Sequence, residues 1–253
     1  MILQLFLLAF STSVFAAPNV GAYVNNDAKY GNAADVDFYS VPTASINCLK
    51  SSGYDTLFLA GWRYDNQIFN TGIIASVRDA NNAGLGVEVY MEPNPKTDGT
   101  QQLTTMVQGL NANGILVRSV WIKITNSYYW PTDTNSNSVY INSILTRARQ
   151  MGLTVGIFTN SNDWTKITAN WVGAGSDVLL WYYNYSGGGS SPANFIDFVA
   201  FGGFKTPSVK QYSYYVAECD IHFDKNVYAI GISSKKSTFV APEGKIVVGG
   251  IGL

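Results

Sequence analysis

The feature that most constrains this chain is a repeated alternation of two hydrophobic periods. Short runs rich in β-branched and aromatic residues are followed by longer segments with helical spacing, and the pair recurs about every 30 residues. Strands are expected near Asp35–Val41, Asp55–Trp62, Gly86–Glu92, Arg118–Thr125, Leu153–Thr159, Asp177–Asn184, Ser208–Val216 and Ile221–Ala229. Helices are expected over Thr43–Ser51, Thr71–Asn82, Thr100–Asn111 and Asn137–Gln150. Gly53, Gly84, Gly114 and Gly152 lie just beyond them, where glycine accepts the left-handed backbone that stops a helix. Strand–helix–strand units at this spacing imply parallel strands. After Asp177 the alternation decays into a glycine-punctuated stretch, and the last two strands lack full intervening helices. The expected fold is an irregular α/β, TIM-like (β/α) barrel with a degenerate C-terminal half, and an open doubly wound sheet is the alternative. No internal repeat or coiled coil is present.

Side chains alternate along a barrel strand, apolar ones facing the helices and the others facing inward. In the third strand Val87, Val89 and Met91 face out, so Glu88, Tyr90 and Glu92 face in. In the fourth, Val120, Ile122 and Ile124 face out, leaving Trp121, Lys123 and Thr125 inside. Asp35, Asp37 and Tyr39 share one face of the first strand. Buried charge is costly unless paired or solvated. Inward charges near the C-terminal mouth, where the βα loops build active sites, therefore read as functional. A structural ion pair between Glu88 and Lys123 is the plainer reading. Glu88 and Glu92 are separated by roughly 13 Å along one strand. That matches neither the roughly 5–5.5 Å of retaining glycosidases nor the roughly 6.5–9.5 Å of inverting ones. A pair drawn from two strands, such as Asp37 with Glu88, is geometrically freer.

Residues 1–16 read as a signal peptide, with an apolar run from Leu3 to Phe10 and small residues before Ala17. No other run is long enough to span a membrane. The formal net charge of −1 gives no footprint for nucleic acid or an anionic membrane. Cys48 and Cys219 are the two cysteines. In an oxidising compartment a single disulfide is expected between them, with two buried thiols as the alternative. Sixteen Tyr and six Trp are enough to supply both core and sugar-stacking surfaces. Trp121, Trp181, Tyr182 and Tyr183 are candidates for either role. His222, the single histidine, sits in a strand without an obvious serine nucleophile and reads as non-catalytic. No metal-ligand spacing and no cofactor motif stands out. Gly187-Gly188-Gly189 lacks the lysine of a phosphate loop, and Asn184-Tyr185-Ser186 is a glycosylation sequon.

Several segments, in order, resemble glycoside hydrolase family 25 lysozymes, above all their nematode and protist branch. They are Asn47–Tyr54, Val87–Pro93, Val120–Ile124, Leu179–Tyr183 and Ser191–Phe195, closed by Cys219 and Asn226-Val227-Tyr228. The resemblance implies a barrel domain over 34–230, preceded by the signal peptide and followed by a tail, 231–253, of unknown role. It also implies a secreted or endolysosomal muramidase, expected as a monomer, that acts on peptidoglycan in antibacterial defence or bacterial digestion. The family carries an Asp at the end of the first strand, which Asp37 would match. Its working pair is an Asp-x-Glu closing the fourth strand, where this chain has Lys123 and Thr125. Threonine cannot protonate a leaving sugar oxygen, and loss of a positioned acid typically forfeits about 10²–10⁴-fold in rate. The resemblance therefore implies impaired family chemistry or a relocated acid. The catalytic candidates are Asp37, Glu88 and Glu92. The substrate-binding candidates are Tyr90, Trp121, Trp181, Tyr183 and Asp224. A catalytically silent glycan-binding relative is the competing reading.

Overall fold

The computed structural model describes residues 29–185, 189–230 and 243–251. The expected signal peptide, two glycines of the triple-glycine stretch and most of the tail lie outside these residues. In chain order the elements are β1 (Tyr30–Val36), α1 (Thr43–Ser51), β2 (Thr56–Trp62), α2 (Ile73–Asn82), β3 (Gly86–Met91), α3 (Gly99–Ala112), β4 (Ile115–Val117) and β5 (Ser119–Lys123). There follow α4 (Thr134–Gln150), β6 (Thr154–Thr159), α5 (Ser161–Thr168), β7 (Leu179–Tyr183), β8 (Val209–Glu218), β9 (Ile221–Ala229) and β10 (Ile246–Val248). Eight strands close into a barrel in the order β1-β2-β3-β5-β6-β7-β8-β9, which removes the open-sheet alternative. Pairing is parallel from β1 round to β8, whereas β9 runs antiparallel to both β8 and β1. An antiparallel pair needs no crossover helix. This accounts physically for the missing helix between β8 and β9, whereas the parallel step from β7 to β8 is made by a stretch with no helix among the described residues.

Local chemistry explains most element ends. Asp98 caps α3 by accepting from Thr100 N and Gln101 N, and Asp133 caps α4 through Asn135 N and Ser136 N. Gly84 and Gly152 take left-handed backbone, with φ of 73° and 74°, just past α2 and α4. Cys219 and Asp220 both have positive φ (57° and 59°) between β8 and β9, as a two-residue hairpin turn matched to strand twist requires. The same Cys219 forms the expected disulfide with Cys48 of α1, so the hairpin tip is tied to the first helix.

Two hydrophobic layers divide the side chains by strand parity. Val87, Val89, Met91, Val120, Ile122 and Ile124 pack outward against the helices. Phe58, Tyr90, Trp121, Phe158 and Trp181 fill the barrel itself. Gly156 makes room for the largest of these, because a Cβ there would meet the Trp121 ring at 2.1 Å.

One of the expected elements needs correction, and two features were not expected. The first strand spans Tyr30–Val36, not Asp35–Val41, because the polar–apolar alternation runs on into the loop after the hydrogen-bonded ladder has ended. The helix Ser161–Thr168 was not foreseen. The described part of the tail is also built into the fold. β10 pairs with β4, Arg118 N donates to Val248 O at 2.9 Å, and Gly249 N donates to Val87 O at 2.8 Å. Residues 248–251 thereby close the end of the barrel where the parallel strands begin. None of the described helices is long and apolar enough to cross a membrane.

Candidate active site

The C-terminal mouth of the barrel holds a cavity of about 240 Å³, lined by Asp35, Asp37, Lys123, Tyr215, His222 and Asp224 among others. Asp35 is the last inward residue of β1, and its cross-strand partner in β9 is Asp224. Directly opposed residues of an antiparallel pair share a face, with Cβ atoms roughly 4.5–5.5 Å apart. The ladder therefore sets two carboxylates side by side. Among the described residues neither has a salt-bridge partner.

Their environments differ. Asp35 is only 4% exposed, and its Oδ1 has no hydrogen-bond partner. Burial, then the charges of Asp224 and Asp37, drive its carboxyl well above the usual range, against the pull of Lys123 and the Tyr90 hydroxyl. Tyr90 Oη does not close a hydrogen bond of full geometry with it and is itself buried without a partner. Asp224 is pushed up to about 6 by burial, less than it would be without Tyr215 N, Lys123 and Gln211. Tyr215 N donates to its Oδ1 and Gln211 Nε2 to its Oδ2, both at 2.8 Å. The Tyr215 amide is aimed there by an irregularity in β8, where the register shifts between Ser213 and Val216 and Tyr215 takes a φ of 52°. Such a bulge re-aims a backbone group at the cost of local pairing.

Lys123 closes β5, with Nζ 3.7 Å from Glu92 Oε1 and 5.7 Å from the centre of the Tyr90 ring. Although burial disfavours its charge, Glu92, Asp35, Asp37 and Asp224 hold the ammonium above its ordinary range. Asp37, just past β1, is bound instead by Arg63 at 2.6 Å. Thr125 lies beyond β5, where its carbonyl accepts from Trp130 Nε1.

The structure thus brings Asp37, Glu92, Tyr90, Lys123 and Asp224 to the mouth and sends other candidates elsewhere. Glu88 is 1% exposed and lies toward the opposite end of the barrel. Its Oε2 accepts from Ser119 Oγ and Trp121 Nε1, both at 2.9 Å; its Oε1 accepts from Gly250 N at 2.6 Å and Ile251 N at 2.8 Å. Burial raises its carboxyl against these four donors. The anticipated Glu88–Lys123 pairing is replaced by these bonds. Trp121 and Trp181 are both 0% exposed, so neither offers a ring face to a sugar. Trp181 instead donates to Asn226 Oδ1 at 2.8 Å. Tyr183 is half-buried and donates its hydroxyl to Asp163 in a short hydrogen bond.

Sequence reasoning missed Asp35 as the inward end of β1, since the strand boundary had been placed too late. It also missed the aromatic rim. Tyr185 stacks between Tyr183 (5.6 Å) and Tyr214 (5.9 Å), and Tyr215 stacks on His222 at 4.3 Å. Tyr64 stacks on Tyr129 at 4.5 Å. Clustering of tyrosines just past strand ends was the available signal.

A family model described as Lysozyme-like protein 1 matches residues 26–212. Lysozyme-like protein 1 of Caenorhabditis elegans is 46% identical, over 93% of this chain and 83% of its own length. Probable GH family 25 lysozyme 2 of Dictyostelium discoideum is 35% identical, over 76% and 89%. Among solved structures, a family GH25 lysozyme from Aspergillus fumigatus superposes with a TM-score of 0.62 at 16% identity, covering 79% of this chain and 94% of that one. That likeness speaks for the fold. With the sequence matches, it establishes that the chain belongs to the lysozyme-like proteins of glycoside hydrolase family 25.

Proposed function

We propose that the protein is a secreted lysozyme-type glycoside hydrolase that cleaves peptidoglycan, in digestion of bacteria or defence against them. The observation that carries the chemistry is the Asp35–Asp224 cross-strand pair inside the mouth cavity. Directly opposed side chains on one face can bring their carboxyls to the roughly 5–5.5 Å separation that retaining glycosidases use. Two like groups whose surroundings push their proton affinities apart divide naturally into an acid and a charged partner. Asp35, more deeply buried and with an unpartnered oxygen, is the proton donor to the leaving sugar oxygen. Asp224, held by two N–H donors, is the carboxylate that faces the positive charge developing on the sugar ring. The apolar N-terminal run from Leu3 to Phe10 and the disulfide are consistent with export.

The test is release of reducing sugar and loss of turbidity from purified peptidoglycan by the wild type, Asp35→Asn and Asp224→Asn. Activity in the wild type and a loss of at least about 10²-fold in either variant is the expected result. Full activity in both variants would remove the assignment.

One observation favours a second reading. β5 ends on Lys123, not on a carboxylate, as a glycan-binding relative without turnover would allow. That reading expects wall binding without sugar release, and gain of hydrolysis only in a Lys123→Asp/Thr125→Glu variant.

A further inference from the structure

The ladder between β8 and β9 carries a two-for-one irregularity beside Asp224. Ser213 pairs with Lys225 and Val216 with Phe223, so Tyr214 and Tyr215 together oppose the single residue Asp224. An extra residue of this kind leaves backbone groups free to point elsewhere. Tyr214 N donates to Gly189 O at 3.2 Å, and Tyr215 N donates to Asp224 Oδ1 at 2.8 Å. The second bond depends on the φ of 52° at Tyr215, a left-handed conformation that a residue with a Cβ adopts only at a cost. Something must hold it there.

Burial does not hold Tyr215, because 61% of it is exposed. Its close contact is with His222, whose ring lies 4.3 Å from the tyrosine ring and within 14° of parallel. Tyr214 adds a looser contact, 5.9 Å away and tilted by 32°. His222 and Asp224 are two residues apart in β9 and so share a face of the strand, and both line the mouth cavity with Tyr215. Tyr215 therefore gives its N–H to the carboxylate and its ring to the imidazole. The platform under His222 is fixed, since it lies three residues after Cys219, whose disulfide to Cys48 ties the hairpin tip to α1. The hydrolysis reading gives His222 no part.

We infer that His222 is a positioning residue for Asp224: by stacking on Tyr215 it keeps the left-handed backbone in place and the Tyr215 N–H on the carboxylate. This inference rests on the reading of Asp224 as the charged member of the mouth pair, but not on turnover there. The other titratable groups around Asp224 are Asp35 and Asp37 at and just past the end of β1, Lys123 on β5, Tyr185 after β7 and Tyr214 on β8. Tyr90 and Glu92, from β3 and the residue after it, stand beside Lys123. None of these is altered in the test below, which separates an imidazole acting by its shape from one acting by its charge.

Carbon-13 resonances of the aspartate carboxyls, followed from about pH 3 to 9 and assigned with the Asp224→Asn spectrum, read the carboxyl directly and need no turnover. His222→Ala should move the Asp224 midpoint, expected at about 6 in the wild type, upward by about 0.5–1 unit, because a donor that favours the ionised form is lost. His222→Phe, which keeps a stacking ring without a charge, should titrate as the wild type does. Tyr215→Ala, which removes the stack from the other side, should give the same upward shift, and the double variant no more than either. His222 is exposed, so its variants should keep the fold. Wherever turnover is measured, the acid limb of kcat/KM should move with the carboxyl. An Asp224 midpoint unchanged in His222→Ala, or one shifted as far in His222→Phe, would overturn the inference even if the wild type lyses cell walls. An upward shift in His222→Ala that His222→Phe restores would uphold it even if no lysis is found, since failure of the hydrolysis reading shows only in sugar release.

Discussion

Replacing Glu88 with Gln separates a structural carboxylate from a catalytic one. Glu88 accepts four hydrogen bonds, two from the barrel (Ser119 Oγ, Trp121 Nε1) and two from the tail backbone (Gly250 N, Ile251 N). An amide has one accepting oxygen. If that oxygen stays with the tail, the new NH₂ faces the buried Trp121 N–H, whose acceptor in the structure is Glu88; Ser119 can turn its hydroxyl to accept instead. One orphaned buried donor costs about 1–3 kcal/mol, and exchanging a charged acceptor for a neutral one at the remaining bonds adds about 1 kcal/mol. Release from burying a carboxylate offsets part of this, as the raised carboxyl indicates. The net expectation is a loss of about 2–3 kcal/mol, or roughly 5–10 °C in Tm for a chain of this length.

Urea and thermal unfolding report that loss. Hydrogen exchange at Gly250 and Ile251 reports whether the tail has been freed, and those two amides should exchange faster than in the wild type. Wall-lysis activity per folded molecule should stay within about threefold, since Glu88 does not reach the mouth. An unchanged Tm with activity lost more than about 10²-fold would refute the structural role and return Glu88 to the chemistry.

Asp224→Asn should lower kcat/KM by about 10²–10⁴-fold and remove the acid limb of the pH–rate profile, which is expected to rise through about 6 in the wild type. The two limbs belong to the Asp35–Asp224 pair jointly. Because the native carboxyl of Asp224 lies above its ordinary 3.8, its contribution to stability is full below that value and is lost as pH rises through about 6. Urea titrations from pH 4 to 7 should therefore show a flatter pH dependence in the variant, and a slope equal to wild type would contradict the burial argument. Paired Cys48→Ala/Cys219→Ala removes a link spanning 171 residues. Loop entropy puts the loss at up to about 5 kcal/mol, and typical disulfides at about 2–4, so Tm should fall in the variant and in reduced wild type alike. Lys210→Met leaves Asp197 without its cation and strands the carbonyls of Pro192 and Asn194. A loss of about 3 kcal/mol and faster proteolysis within 189–201 are expected, with resistance equal to wild type as the contrary result.

Legibility in the sequence followed the range of the interactions. The inward faces of β3 and β5 could be read because Val87–Met91 and Val120–Ile124 alternate strictly, and parity is a local property. The end of β1 could not. Asp35, Val36 and Asp37 alternate just as well, but ladder bonds stop at Val36, and only the partner strands decide that. Height within the barrel was equally hidden. Trp121 and Trp181 have the parity of mouth residues yet sit in the filled interior, since height depends on stagger between strands and on where the chain closes the far end. The same holds for Glu88, whose role is set by amides 162 and 163 residues away in sequence. Asp224 was visible as a residue but not as the partner of Asp35, a pairing created by the antiparallel return of β9.

That return also bears on Lys123. Four carboxylates, Asp35, Asp37, Glu92 and Asp224, act on its ammonium. Asp37 has Arg63 as counter-ion, and Glu92 has Lys123 itself. A carboxylate at position 123 would add a fifth negative group to a partly buried pocket and raise the proton affinity of all its neighbours. Lysine there lowers the proton affinity of both Asp35 and Asp224, while the deeper burial of Asp35 and the Tyr215 and Gln211 N–H groups on Asp224 set the two apart. On the proposed reading, the acid–carboxylate division has moved from the end of β5 to the β1–β9 seam. The cation at the old position offsets the repulsion between the two adjacent aspartates. The substitution that the family resemblance marks as a loss is then part of the electrostatics that make the new pair workable.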